Sequence, residues 1–243
     1  MNIAIIGQGN TGQHIEGVAR DRGHEIVDIF DIDHPLEEAQ NLKNVTCIDF
    51  SVGELVPGHV RFCAEHQNNI VIGTTGWYDQ LGEVTKTVEQ SDIGCLYSPN
   101  FALGVNLFSR VSEFAANLYG KQEYDFAVHE EHHNKKADSP SGTALEIGNI
   151  VLRQLDSKDE LMEGNPPGKI GKNQLHISST RIGDVFGNHE VVIDGANDVI
   201  RLSHSVKSRR IFAEGAVIAA EWMQDRTGLF TIHDLIDSIL EGS

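Results

Sequence analysis

Asn2-Ile-Ala-Ile-Ile6 is a continuous apolar run, the pattern of a strand buried on both faces of a sheet. Ile15, Val18 and Ala19 then recur at helical spacing up to Gly23, and His24 to Phe30 reads as a second strand closing at Asp31. Val45 to Phe50 and Asn69 to Gly73 supply two more strands, with a helix over Val60 to His66 between them. Leu81 to Val88 predicts a further helix and Ile93 to Tyr97 a further strand. Strands that alternate with helices in this way predict a parallel sheet.

The pattern changes after Phe101. Val105, Leu107, Phe108, Val111, Phe114, Ala115 and Leu118 mark an amphipathic helix, and Tyr124 to Val128 alternates like a strand. Leu145, Ile147, Ile150, Val151 and Leu155 give a helix over Ala144 to Leu155, and the Gly- and Pro-rich stretch from Asp156 to Lys172 reads as loop. From Leu175 to Val206 the chain alternates again, with Gly183, Gly187, Asn188 and Gly195-Ala-Asn197 as turns. Helices over Phe212 to Met223 and Ile232 to Leu240 return to cover the first domain.

Composition narrows the setting. The net charge of −17 argues against nucleic acid and anionic membranes as partners. No apolar run approaches the ~20 residues that span a bilayer. Met1 leads straight into a strand, so the expected location is the cytoplasm, with no membrane association. Cys47, Cys63 and Cys95 are odd in number and lack C-x-x-C spacing, which reads as reduced core cysteine.

The first apolar run feeds directly into Gly7-Gln8-Gly9-Asn10-Thr11-Gly12, a G-x-G-x-x-G loop between strand and helix. Its first Gly makes the tight turn, its second lets backbone approach a pyrophosphate, and its third packs helix on strand. Asp31, about 20 residues further on, can accept from adenosine ribose hydroxyls. The strand ends at Gly73-Thr74-Thr75-Gly76 and at Ser98-Pro99-Asn100-Phe101 also present turns where open α/β sheets bind ligands. Asp31-Ile-Asp33-His34-Pro35 contains no Arg or Lys to receive a 2′-phosphate, which favours NADH, with NADPH possible. The expected fold is α/β: a Rossmann-type parallel-sheet domain over residues 1–101, completed by 209–243, and an α+β domain over 102–208 with a mainly antiparallel sheet.

His129-Glu-Glu-His-His-Asn-Lys-Lys-Ala-Asp-Ser-Pro-Ser-Gly-Thr-Ala144 concentrates imidazoles, ammonium groups and carboxylates just before a helix. The N–H groups of Ser141, Gly142 and Thr143 would form an anion site at that helix start. Such a pocket suits a carboxylate substrate that must also receive a proton. His129 to His133 also satisfies H-E-x-x-H, but zinc chemistry needs both His one turn apart on a helix, and a strand precedes this segment. No metal is expected.

Glu130-x-His132-His133-x-x-Lys136-x-Asp138-x-Pro140-Ser-Gly-Thr-Ala144 resembles the signature of the dihydrodipicolinate reductase family. Asp49-Phe-Ser51, Gly73–Gly76, Asn100-Phe101 and Gly183-x-x-x-Gly187-x-His189 fall in the family's order, so the resemblance covers the whole chain. It implies reduction of a cyclic imine-type dicarboxylate by NADH or NADPH in lysine and diaminopimelate biosynthesis, and a homotetramer. Carried over by motif, His132 is the proton-transfer histidine and Lys136 the proton donor, while His133, Gly142 and Thr143 bind the dicarboxylate. Arg209 and Phe212 join the cofactor contacts on the same basis. Asn10-Thr11 stands where many members have Arg-Met, which removes a cation useful to a 2′-phosphate. Other Rossmann oxidoreductases acting on small carboxylates, or a non-catalytic NAD(H) sensor, are the alternatives.

Overall fold

The computed structural model describes residues 1–9, 11–39 and 42–242. Two units divide the chain: Met1–Leu103 with Arg209–Ser243, and Gly104–Ser208.

The first unit carries β1 (Asn2–Ile6), β2 (Glu25–Phe30), β3 (Thr46–Asp49), β4 (Asn69–Ile72), β5 (Gly94–Tyr97) and β11 (Gly228–Thr231) in one parallel sheet, ordered β11-β5-β4-β3-β1-β2. Its helices are α1 (Gly12–Asp21), α2 (Val56–Glu65), α3 (Leu81–Glu89), α6 (Arg210–Trp222) and α7 (Ile232–Glu241). Ala4, Ile6, Cys47, Ile70, Ile72 and Cys95 join Val56, Val60, Val84 and Val88 in one buried cluster. The alternate strand residues Ile3, Ile5, Ile48, Val71 and Leu96 are buried as well, which requires cover on both faces. That is why these strands read as unbroken apolar runs. The first strand lies between β2 and β3, so strand order reverses there, and the crevice above its carboxyl end is where such sheets take ligands.

The second unit has α4 (Leu103–Tyr119), α5 (Gly142–Leu152), β6 (Asp125–His132), β7 (Glu160–Glu163), β8 (Gln174–Arg181), β9 (Asn188–Asp194) and β10 (Val199–Ser205). Its sheet runs β10-β9-β6-β8-β7, antiparallel on the β10-β9-β6 side and parallel through β8 and β7. Phe126, Val128, Leu175, Ile177, Val191 and Ile193 pack with Phe108, Ala115 and Ala116 of α4 and Ala144, Ile147 and Val151 of α5. A Cβ on Gly148 would lie 2.4 Å from Ile177 Cδ1, so α5 can approach the sheet closely only because that position is glycine.

Three elements differ from the sequence pattern. The strand expected over Tyr124 to Val128 continues to His132. The stretch read as loop from Asp156 to Lys172 contains β7, whose Leu161 and Met162 are only half-buried. The strand β11 was not foreseen, being short and half-buried throughout. Cys47, Cys63 and Cys95 are free and buried. No helix among the described residues is long and apolar enough to cross a membrane.

Candidate active site

The alternation of β6 sorts the focal stretch into two sets. Phe126, Val128, Glu130 and His132 are buried on one face; His129 and Glu131, half-buried, lie on the other. On that second face His129 Nδ1 lies 2.8 Å from Ser178 Oγ, and Asn188 donates to Glu131 at 2.9 Å. A strand cannot set His129 and His133 one helical turn apart, so the H-E-x-x-H letters do not build the helical zinc motif.

Burying Glu130 and His132 in an otherwise apolar face requires partners. They provide one for each other: His132 Nδ1 bonds Glu130 Oε2. Glu130 Oε1 lies 2.8 Å from Arg181 Nη1. Burial pushes the Glu130 carboxyl up, but His132, Ser179 and Arg181 beside it outweigh burial and bring the pKa down to about 2. Across the sheet, His204, His189, Glu130 and Ser179 occupy one rung of neighbouring strands. The His189 ring stands edge-on to His132, centroids 5.3 Å apart. Burial and the adjacent His132 lower its pKa to about 4, with Glu130 opposing, so His189 is neutral near pH 7. Neither ring nitrogen of His189 has a hydrogen-bond partner among the described residues. Glu130, His132 and His189 offer ligand-type atoms within 4.8 Å of one another, yet the Arg181 guanidinium already supplies the cation beside Glu130.

With Nδ1 of His132 committed to Glu130, Nε2 is the other ring nitrogen. A Cβ on Gly187 would sit 2.9 Å from it, so the glycine keeps that edge uncovered. The strand then gives way to a loop pinned by Asn134 N–H to Gly183 O at 3.1 Å. In this loop Lys136 Nζ lies 2.8 Å from Asp138 Oδ1. His133 is half-buried and its Nδ1 has no partner among the described residues. Helix α5 begins at Gly142, and Ser141 is its cap, accepting from Ala144 N–H at 3.2 Å. Ser141 is thus a buried structural cap, and the first helical N–H groups are those of Gly142 and Thr143. The Asp138 carboxyl is held below its usual range beside this helix start. Lys136 lowers its pKa most, burial opposes, and its own N–H and that of Gly142 add to the lowering.

In the first unit, Ile6–Gly9, Phe30–Ile32, Pro35–Glu37, Phe50–Val52, Leu55 and His59 line a cavity of about 470 Å³ at the carboxyl ends of β1, β2 and β3. It unites Gly7, Gln8, Gly9 and Asp31. Ile32, Val52 and Leu55 are large apolar residues left exposed, and all line this cavity. Asp31 Oδ1 accepts from Asp33 and His34 N–H at 2.9 and 3.1 Å, which fixes its carboxylate. A Cβ on Gly12 would fall 2.0 Å from Gly7 O, whereas one on Gly9 would meet nothing within 4 Å, which leaves room for a pyrophosphate.

Other expected cofactor residues do not line this cavity. Thr11 precedes α1, and Asn10 lies outside the described residues. Gly73 packs on the Phe50 ring, and Thr75 is exposed beside it. Thr74 is buried and donates to Asp49 Oδ1 at 2.8 Å, which makes it an internal support rather than an open contact. Ser98 is buried and bonded to Asn100, while Pro99 is exposed. Phe101 is a core residue, 1% exposed, whose carbonyl abuts Gly215. Arg209 and Phe212 flank the start of α6.

Residues 1–101 match the family model described as dihydrodipicolinate reductase, N-terminus, and residues 104–236 match its C-terminus. The chain belongs to the dihydrodipicolinate reductase family. A 4-hydroxy-tetrahydrodipicolinate reductase of Christiangramia forsetii is 35% identical over 242 residues, covering 99% of this chain and 100% of the relative. One from Natronomonas pharaonis is 35% identical over 249 residues, covering 97% and 100%. Among solved structures, a dipicolinate-bound dihydrodipicolinate reductase from Paenisporosarcina sp. TG-14 shares the fold with a TM-score of 0.76 at 23% identity, covering 95% of this chain and 97% of that one. For this member of the reductase family, sequence reasoning left Arg181 and Glu37 unassigned and gave His189 no role. His189 belonged to a quoted motif, but nothing in the letters placed it against His132.

Proposed function

We propose that the chain is a 4-hydroxy-tetrahydrodipicolinate reductase that forms tetrahydrodipicolinate in lysine and diaminopimelate biosynthesis. The observation that carries this reading is His132, locked through Nδ1 by a buried, ionised Glu130, close in sequence to the Lys136–Asp138 pair and the capped start of α5. A dicarboxylate ring would dock one carboxylate on Gly142 and Thr143, with His133 and Lys136 adding charge-assisted hydrogen bonds. A reduced nicotinamide, when bound, would supply hydride to ring C4, and the 4-hydroxyl would leave as water. His132 Nε2 and Lys136 Nζ are the two groups placed to deliver the single proton that balances the hydride and the departing water.

The cavity fits a dinucleotide: an uncrowded Gly9, a fixed Asp31 and an exposed apolar rim. Asp31 and Glu37 both line it, with no Lys or Arg among the described lining residues, which favours NADH over NADPH. A homotetramer working in the cytoplasm, without nucleic acid or membrane, completes the proposal. The test is loss of the reduced-nicotinamide absorbance with substrate generated by dihydrodipicolinate synthase, run with each cofactor. Cofactor binding without turnover would favour an NAD(H) sensor instead.

A further inference from the structure

Arg181 ends β8 directly opposite His132 in the parallel β6–β8 register. One face of its guanidinium fork serves two residues with opposite duties. Nη1 lies 2.8 Å from Glu130 Oε1, the carboxylate that grips His132. Nη2 donates to the carbonyl of Asp138 at 2.5 Å, and the carboxylate of Asp138 holds Lys136. Nη1 also donates to the Thr180 carbonyl at 2.9 Å, which ties the fork to its own strand. A single planar group therefore reaches the partner of each proposed proton-delivering side chain.

We infer that Arg181 is a positioning residue for proton delivery, setting His132 through Glu130 and Lys136 through the Asp138 backbone. The inference rests on the reductase reading and deepens it. The chemistry needs arginine: its fork can bond a carboxylate and a carbonyl at once in fixed geometry, whereas lysine is a point charge. Arg181 also divides the charge of Glu130, so that His132 does not face the carboxylate alone. The groups around His132 are Glu130 on β6, Arg181 and Ser179 on β8, and His189 on β9 with His204 behind it on β10. The following loop carries Lys136 and Asp138. Removing Arg181 subtracts a cation from this set and leaves Glu130 undivided; both changes favour the protonated acid. The alkaline limb of kcat should then move to higher pH.

The experiment compares wild type, Arg181→Gln and Arg181→Lys for kcat, KM of the dicarboxylate, Kd of NADH and the pH profile, with thermal midpoints alongside. In Arg181→Gln, kcat is expected to fall roughly 10- to 100-fold, part of the range proton transfer supplies. Its alkaline limb moves up while NADH affinity stays put. Arg181→Lys should bring the limb back but not kcat, because one ammonium cannot also hold the Asp138 carbonyl. Wild-type kcat in Arg181→Lys, or an unmoved limb in Arg181→Gln, overturns the inference. Should Arg181→Gln fail to fold, kcat of a folded Arg181→Lys decides alone. An inactive wild type would overturn the reductase reading itself, a result distinct from an active enzyme indifferent to Arg181.

Discussion

Lys136 Nζ lies 2.8 Å from Oδ1 of Asp138, and the Gly142 backbone at the start of α5 helps Lys136 hold that carboxyl below its usual range. The chain thus places its own anion where a substrate carboxylate is proposed to dock. Binding must exchange one for the other. Asp138→Asn removes the competing charge while keeping the side-chain size and the carbonyl that Arg181 holds. The expected result is a KM for the dicarboxylate lowered roughly two- to five-fold, the scale of an exposed pair worth up to ~1 kcal/mol. Turnover should fall as well, because Lys136 loses its orienting partner. A raised KM would show that Asp138 assists binding instead.

His132→Gln and Lys136→Ala address the acid chemistry directly. Each should lower kcat by roughly 10²- to 10⁴-fold, the usual contribution of a positioned proton donor. The cavity that Gly7, Gln8, Gly9 and Asp31 line contains neither residue, so the Kd for NADH should not change. Stopped-flow hydride transfer and fluorescence titration separate the two quantities. Full turnover in both variants would remove the proposed proton transfer.

The glycine loop offers a contrast within three residues. A Cβ on Gly12 runs into the Gly7 carbonyl, so Gly12→Ala should destabilise the first unit by roughly 1–3 kcal/mol, the usual cost of overpacking. A Cβ on Gly9 touches no protein atom within 4 Å. Gly9→Ala should therefore keep the thermal midpoint and still weaken NADH binding, because the new methyl occupies space meant for the pyrophosphate. Equal NADH affinity in Gly9→Ala and wild type would place the cofactor elsewhere.

What the sequence revealed follows from which positions are buried among apolar neighbours. Strands β1, β3, β4 and β5 were legible because their burial is nearly continuous, and the glycine loop because its spacing follows β1 directly. The end of β6 was not. Glu130 and His132 continue the buried face of Phe126 and Val128, so the hydrophobic alternation stops in the letters while the strand goes on. The compensating cation, Arg181, comes from β8, 49 residues after His132 in the chain, and only the register reveals it. Thr74 has a structural duty that its letters do not show. Its turn looks made for a ligand, but its hydroxyl serves the buried Asp49. The edge strand β7 escaped because its Leu161 and Met162 are half-buried within a run of glycine and proline.

Cofactor choice can be moved by charge. Asp31 and Glu37 line the cavity, and a 2′-phosphate there would face like charge with no Lys or Arg among the described lining residues. Combining Asp31→Ser with Glu37→Arg should raise the ratio of kcat/KM for NADPH over NADH by roughly tenfold or more, since Arg is the usual 2′-phosphate partner. Steady-state assays with both cofactors measure it. An unchanged ratio would move the adenosine ribose away from these acids.

His189 makes the second unit sensitive to mild acid. Its ring is 4% exposed, and burial followed by repulsion from His132 lowers its pKa from 6.5 to about 4. Unfolded chains therefore take up this proton as pH falls through 6.5, while the native state resists until about 4. Between those limits the unfolded form binds more protons, so stability declines with falling pH, by roughly 3 kcal/mol in all. Glu130 adds its own loss only lower, as pH falls from its ordinary 4.5 towards about 2, because its native pKa is depressed. The two windows hardly overlap. His189→Phe keeps a ring of similar volume, removes the group that titrates and deletes two buried nitrogens without partners. Urea midpoints measured from pH 7.5 to 4.5 should therefore fall less steeply in the variant than in wild type, by about the amount assigned to His189. Parallel curves would mean that His189 takes its proton equally in both states, and the buried neutral ring beside His132 would have to be abandoned.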